Sequence, residues 1–182
     1  MTATGQAERK IGYDPMAAGF LHVPPPYPYR AHEKFTAEEH GEECAKFLED
    51  TINYEGAETV AAFIMEPMIS GGGVLVPPDN YLPRVREVCD KHGVLLILDE
   101  VVSGFGRTGQ FFGHLHWGVK PDIITFAKGI SSGYLPLAAT VVRENIFEAF
   151  YGEPGTLRHF RQINTYGAVS YTHLTLPTSD LV

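Results

Sequence analysis

Cysteine is scarce in this chain: Cys44 and Cys89 are the only two, with no CxxC pair and no His–Cys cluster. That suggests neither a disulfide framework nor a structural zinc site, and it makes a reducing cytoplasm the expected setting. Long apolar runs are missing as well. None approaches the roughly 20 residues that a membrane-spanning helix needs. The opening Met1-Thr2-Ala3-Thr4-Gly5 lacks the basic and apolar regions of a signal peptide, so a cytoplasmic protein with no membrane partner is expected. Positive charge is short too, since 14 basic against 22 acidic residues leave a net charge of −8. An acidic surface repels phosphate backbones, so nucleic acid is not an expected partner.

What is present describes a loop-rich globular protein. The 182 residues are 44% apolar and include 19 glycines and 13 prolines, which excludes collagen, coiled coil and disorder and fits a single core of ordinary size. Acids crowd the first 60 residues, and the character changes after them. Residues 1–36 read as an extended connector, because the prolines of Val23-Pro24-Pro25-Pro26-Tyr27-Pro28-Tyr29-Arg30 are expected to forbid helix there. From Ala37 to Asn53, Cys44, Phe47, Leu48 and Ile52 recur at helical spacing among acids, which predicts a surface helix.

Beyond residue 60, strand and helix signals alternate. Val60–Met65, Val94–Leu98, Asp122–Phe126 and Ala138–Val142 are apolar runs, and Asn80–His92 is amphipathic and stopped by Gly93. Uninterrupted apolar strands separated by helices or long crossovers predict an α/β fold, a mostly parallel sheet flanked by helices and buried on both faces. Ligands in such sheets bind past the carboxyl ends of the strands. The residues there are Glu66, Asp99 and Lys128.

An acid at the end of one buried strand and a lysine at the end of another can converge on one crevice, a geometry that suits pyridoxal 5′-phosphate. That cofactor needs an amine to condense with its aldehyde and a carboxylate to keep its pyridine nitrogen protonated. Lys128 lies in Thr125-Phe126-Ala127-Lys128-Gly129-Ile130-Ser131-Ser132-Gly133, where apolar neighbours are expected to desolvate the amine. A lysine after an apolar strand is also what a snorkelling surface residue looks like, so the pattern alone leaves both readings open. Other signals are weaker. Val94–Glu100 is similar to a Walker B strand, but no GxxxxGK[ST] accompanies it. Gly71-Gly72-Gly73 suits an anion cradle or a plain loop. His114 and His116 alternate as strand-borne metal ligands would, without an evident third ligand, so no metal site is assigned.

Two longer segments carry a resemblance. Leu98-Asp99-Glu100-Val101-Val102-Ser103-Gly104-Phe105-Gly106-Arg107-Thr108-Gly109 and Pro121-Asp122-Ile123-Ile124-Thr125-Phe126-Ala127-Lys128-Gly129 resemble the signature of class III aminotransferases, pyridoxal-phosphate enzymes of fold type I. The resemblance runs from about residue 3 to Gly167. It implies that Lys128 anchors the cofactor and shuttles a proton, that Asp99 pairs with the ring nitrogen, and that Val101 packs on the ring. It further implies that Glu66 joins the surrounding polar network and that Thr165 binds the cofactor phosphate of a neighbouring subunit in a homodimer. Without the resemblance, Val101 reads as core and Glu66 and Thr165 as cap or turn residues.

Small molecules, an amino donor and a keto-acid acceptor, are the partners so implied. Family members that use 2-oxoglutarate often carry glutamate where this chain has Gly71 and glutamine where it has Val102. Both departures point to the branch using pyruvate. Within it, the segments Ile64–Leu75 and Gly118–Thr125 resemble most closely the enzymes that take the amino group from taurine, with β-alanine and other ω-amino acids or amines as competitors. Residues 37–167 are expected to be part of a cofactor-binding large domain truncated at both ends. Residues 168–182 depart from the family and are expected to be a non-native tail. An inactive fragment of such an enzyme is the alternative expectation.

Overall fold

The computed structural model describes residues 1–153, 155–158 and 160. Along the chain lie α1 (Pro28–Ala31), α2 (Ala37–Glu55), β1 (Ala62–Met65), α3 (Tyr81–His92), β2 (Leu95–Asp99), β3 (Ile123–Phe126), β4 (Ala139–Val142) and α4 (Glu144–Glu148). The four strands form one sheet in the order β1-β2-β3-β4. β1 and β2 pair in parallel with Met65 beside Leu98, and β2 and β3 pair in parallel with Asp99 beside Thr125. β4 returns antiparallel to β3, with Phe126 opposite Ala139. The sheet is therefore mixed and mostly parallel, as the alternating pattern predicts.

Local chemistry sets the helix boundaries. α2 starts at a capping box: the Thr36 hydroxyl accepts the Glu39 N–H at 3.2 Å, and the Glu39 carboxylate accepts the Thr36 N–H at 2.8 Å. α3 stops where Gly93 adopts φ 68°, a left-handed cap that a side chain would strain. One expectation fails at α1. The proline-rich stretch was expected to exclude helix, yet Pro28 begins a helical turn, because the first helical position needs no N–H and already favours proline's fixed φ.

The core lies between α2, α3 and one face of the sheet. Cys44, Leu48 and Ile52 meet Tyr81, Leu82, Val85, Val88 and Cys89, above Leu96 and Leu98. Both thiols are free, and burial pushes Cys44 up to about 11 and Cys89 up to about 12, so both stay neutral packing groups. Arg84–Glu42 and Lys91–Glu49 ion pairs line the rim of the helix pair at 3.0 and 2.6 Å. Burial alternates along β2: Leu96 and Leu98 are fully buried, whereas Leu95, Ile97 and Asp99 on the other face are half-buried. The expectation of burial on both faces is thus corrected, since the two long helices cover one face only and Ile64 stays 43% exposed.

Asp122 ties the layers together. Its carboxylate accepts the Leu96 N–H at 2.8 Å and pairs with Arg86 at 2.7 Å and Arg143 at 3.0 Å. Helix α3, strand β2 and the end of β4 are thereby joined at the start of β3. Two substitutions test this packing. Leu96→Ala is expected to lower unfolding free energy by about 2–5 kcal/mol in urea titration, and Thr36→Ala by about 0.5–2 kcal/mol through loss of the cap.

Candidate active site

Parallel pairing brings three strand ends to one edge of the sheet. Glu66 follows β1, Asp99 ends β2, and Lys128 lies two residues past β3. One Asp99 oxygen, Oδ1, accepts the Val101 N–H at 3.0 Å, which turns the chain out of the sheet. The other, Oδ2, has no hydrogen bond from any described residue. Burial raises the Asp99 pKa most; the Val101 N–H works against it, Glu66 adds to it, and Lys128 works against it. Both other strand-end groups therefore act on Asp99. A half-buried carboxylate with an open oxygen and a penalty on its charge is a natural acceptor for a cationic N–H.

Lys128 is exposed, in a left-handed conformation at φ 48°, and opens the 3-10 turn Lys128–Ser131. It borders an open depression of about 600 Å³ with Ser131, Tyr134, Leu135 and Leu137. The desolvation expected of its apolar neighbours is not found among the described residues, because Phe126 points into the sheet side of the loop and packs on Phe105 and Phe112. Val101 is half-buried beside Asp99. Glu66 accepts both the N–H and the hydroxyl of Ser70, at 3.0 and 2.7 Å, and closes the loop that carries Gly71. Gly71 is exposed beneath Arg9, whose Nη2 would lie 3.0 Å from a Cβ there. Thr165 lies outside the described residues.

Sequence patterning missed Glu100. It is fully buried, and its carboxylate accepts the N–H groups of Gly113 and His114 at 2.8 Å each, together with the Ser103 hydroxyl and His114 Nδ1. The only signal was its place beside Asp99, where strand alternation turns it to the opposite face. The two histidines are also placed differently from expectation: His114 and His116 sit on the 3-10 turn Gly113–Trp117, not on a strand. His116 bonds to Thr108 instead of facing a shared ligand.

Two acids and a lysine thus lie at the carboxyl ends of adjacent parallel strands. The family model "Aminotransferase class-III" matches residues 1–170. The chain is 52% identical to the uncharacterised aminotransferase YhxA of Bacillus subtilis over 167 residues, 92% of this chain and 36% of that protein. It is 47% identical to the taurine–pyruvate aminotransferase of Bilophila wadsworthia over 169 residues, 92% of this chain and 37% of that one. Its fold superimposes with a TM-score of 0.84 on a Bacillus anthracis aminotransferase, 54% identical, covering 91% of this chain and 37% of the other. An (S)-enantioselective ω-transaminase from Thermomicrobium roseum gives the same TM-score at 48% identity, covering 91% and 36%. The chain belongs to the class III aminotransferase family. It spans about 37% of the length of the relatives it matches.

Two buried acids make this region sensitive to acid. Burial alone would raise Glu100, but His114, Ser103 and the N–H groups of His114 and Gly113 outweigh it and hold the carboxyl below its usual range. Burial would likewise raise Asp122, and the Leu96 N–H with Arg86 and Arg143 reverses that. A carboxyl lowered on folding stabilises fully above its unfolded pKa, near 4, and loses that stabilisation as pH falls through the folded value. Denaturant midpoints are therefore expected to fall steadily below about pH 4, and Asp122→Asn is expected to flatten that slope while lowering the neutral-pH midpoint.

Proposed function

We propose that the protein transfers the amino group of an ω-amino acid or amine, taurine foremost, to pyruvate, with pyridoxal phosphate as cofactor. The net reaction converts taurine and pyruvate to sulfoacetaldehyde and alanine. The observation that carries the proposal is the placement of Asp99 and Lys128 at the carboxyl ends of the paired strands β2 and β3. The residues present fit the cofactor: Lys128 offers an accessible amine, and Asp99 keeps one oxygen open in a half-buried setting that favours a cationic partner. When bound, pyridoxal phosphate supplies an aldehyde for the amino group and an electron-poor ring that withdraws charge from the substrate carbon.

The chain's own groups divide the remaining work. Lys128 Nζ would hold the cofactor through its aldehyde and would carry the proton to and from the substrate carbon. Asp99 Oδ2 would accept the ring N–H, and Val101, beside it, would pack on the ring. Glu66, fixed by Ser70, holds negative charge next to Asp99 and so favours keeping that proton in place. Thr165 of a second copy completes the phosphate site, which makes the working form a homodimer in the cytoplasm. Support for pyruvate comes from the bare Gly71 and from Val102, which leave no carboxylate or amide at two positions where relatives using 2-oxoglutarate often carry one. Taurine is favoured by the similarity to the Bilophila wadsworthia enzyme, whose name states that pair of substrates.

Borohydride reduction with pyridoxal phosphate followed by peptide mapping is expected to fix the cofactor on Lys128 and to leave the other five lysines unlabelled. Lys128→Ala should abolish the adduct, and label spread evenly over all the lysines would overturn the assignment. Asp99→Ala is expected to lower kcat by about 10²–10⁴-fold, the range for loss of a positioned proton partner. In parallel assays with pyruvate, taurine should outrun β-alanine. The reverse order would reassign the donor without touching the site.

A further inference from the structure

We propose that Glu100 is a positioning residue for Lys128 and acts on it through Phe105. This deepens the proposed function and rests on Lys128 being the cofactor anchor. Glu100 spends its whole carboxylate on the loop that follows it: one oxygen takes the Gly113 N–H and the Ser103 hydroxyl, and the other takes the His114 N–H and ring nitrogen. Its own carbonyl accepts the Gly104 N–H at 2.9 Å. The loop from Val101 to Phe112 is thus folded back on the end of β2, and Gly106 and Phe111 close its far end through a 3.2 Å bond.

The folded-back loop presses on the lysine's own turn. Phe105 sits at φ 58°, a conformation that its side chain disfavours and that only the surrounding bonds can hold. From there its ring packs edge-on against Phe111, Phe112 and Phe126, with centroids 5.5, 5.7 and 5.3 Å away. Its Cβ lies so near Gly129 that a Cβ on that glycine would be 2.7 Å from it. Gly129 follows Lys128 directly, and Phe126 precedes it by two residues. The contact therefore grips both sides of a lysine that is itself at φ 48° and exposed.

Close approaches recur along this path. A Cβ on Gly104 would meet the Glu100 carbonyl at 2.8 Å, and one on Gly113 would meet Ser103 Cβ at 2.9 Å. Three glycines, at 104, 113 and 129, thus let backbone and side chains close where larger residues would hold them apart. A buried charge serving only to fill the core would need no such chain of contacts to a strand end.

The test uses the holoenzyme and compares Glu100→Gln, Phe105→Ala and the double variant with wild type. Three readouts are taken: the rate of borohydride-trapped pyridoxal phosphate on Lys128, the visible circular dichroism of the bound cofactor, and kcat against KM for amine. Each single variant is expected to slow labelling of Lys128, weaken the dichroic band and lower kcat by about a hundredfold, with KM little changed. The double variant should be no worse than the weaker single one, since both act on one path. Phe105→Leu, which keeps a branched group against Gly129, should recover most of the loss. Wild-type labelling and dichroism in Phe105→Ala would overturn the proposal, as would a double variant whose two losses multiply. Should wild type itself give no Lys128 adduct, the proposed function falls and this inference with it. A wild-type adduct with unaffected variants removes the positioning role alone.

Discussion

The register of β2 against β3 is the constraint on which the site depends, and Asp122 sets it. Its carboxylate takes the Leu96 N–H just where the parallel ladder begins, while Arg86 from α3 and Arg143 after β4 hold it from the other sides. With Leu96 fixed, Asp99 falls beside Thr125 at the far end of the pair. A slip of one residue would send Asp99 to the helix-covered face and bring Glu100 to the open one. Burying the Asp122–Arg86 pair there is costly by itself, but removing Asp122 would be worse, because the Leu96 N–H would lose its acceptor and Arg86 would stay largely buried with only the exposed Asp90 as partner.

Adjacent acids on β2 show how far environment outweighs residue type. Asp99 faces the open side, keeps one oxygen unengaged among the described residues, and has its charged form disfavoured by burial. Glu100 faces the core, is more deeply buried, and yet has its charged form favoured, because four donors converge on it. One is left needing a cationic partner, which suits a binding role. The other has all its partners inside the chain, which suits holding a loop.

Much of the fold was legible in the residues. Apolar runs marked all four strands to within two residues, and the spacing of Cys44, Leu48 and Ile52 marked the helix that covers them. Local signals with one physical meaning, such as the Thr36–Glu39 box and Gly93, carried over directly. Less legible were features set by partners far away in sequence. The antiparallel return of β4, the half-open second face of the sheet and the exposure of Lys128 depend on what packs beside them. Pro28 opens a helical turn despite the prolines around it, since proline blocks a helix interior and not its first turn.

The sequence by itself determined the alternation of strands and helices and the identity of the three strand-end groups, Glu66, Asp99 and Lys128. Periodicity and residue chemistry are local properties, so one dimension suffices to read them. Only the tertiary structure decided that Asp99 keeps an open oxygen, that Glu100 is the anchor of the loop behind it, and that Phe105 bears on Gly129. Those facts come from close approach between segments up to dozens of residues apart, and distance in space is what a linear pattern does not contain.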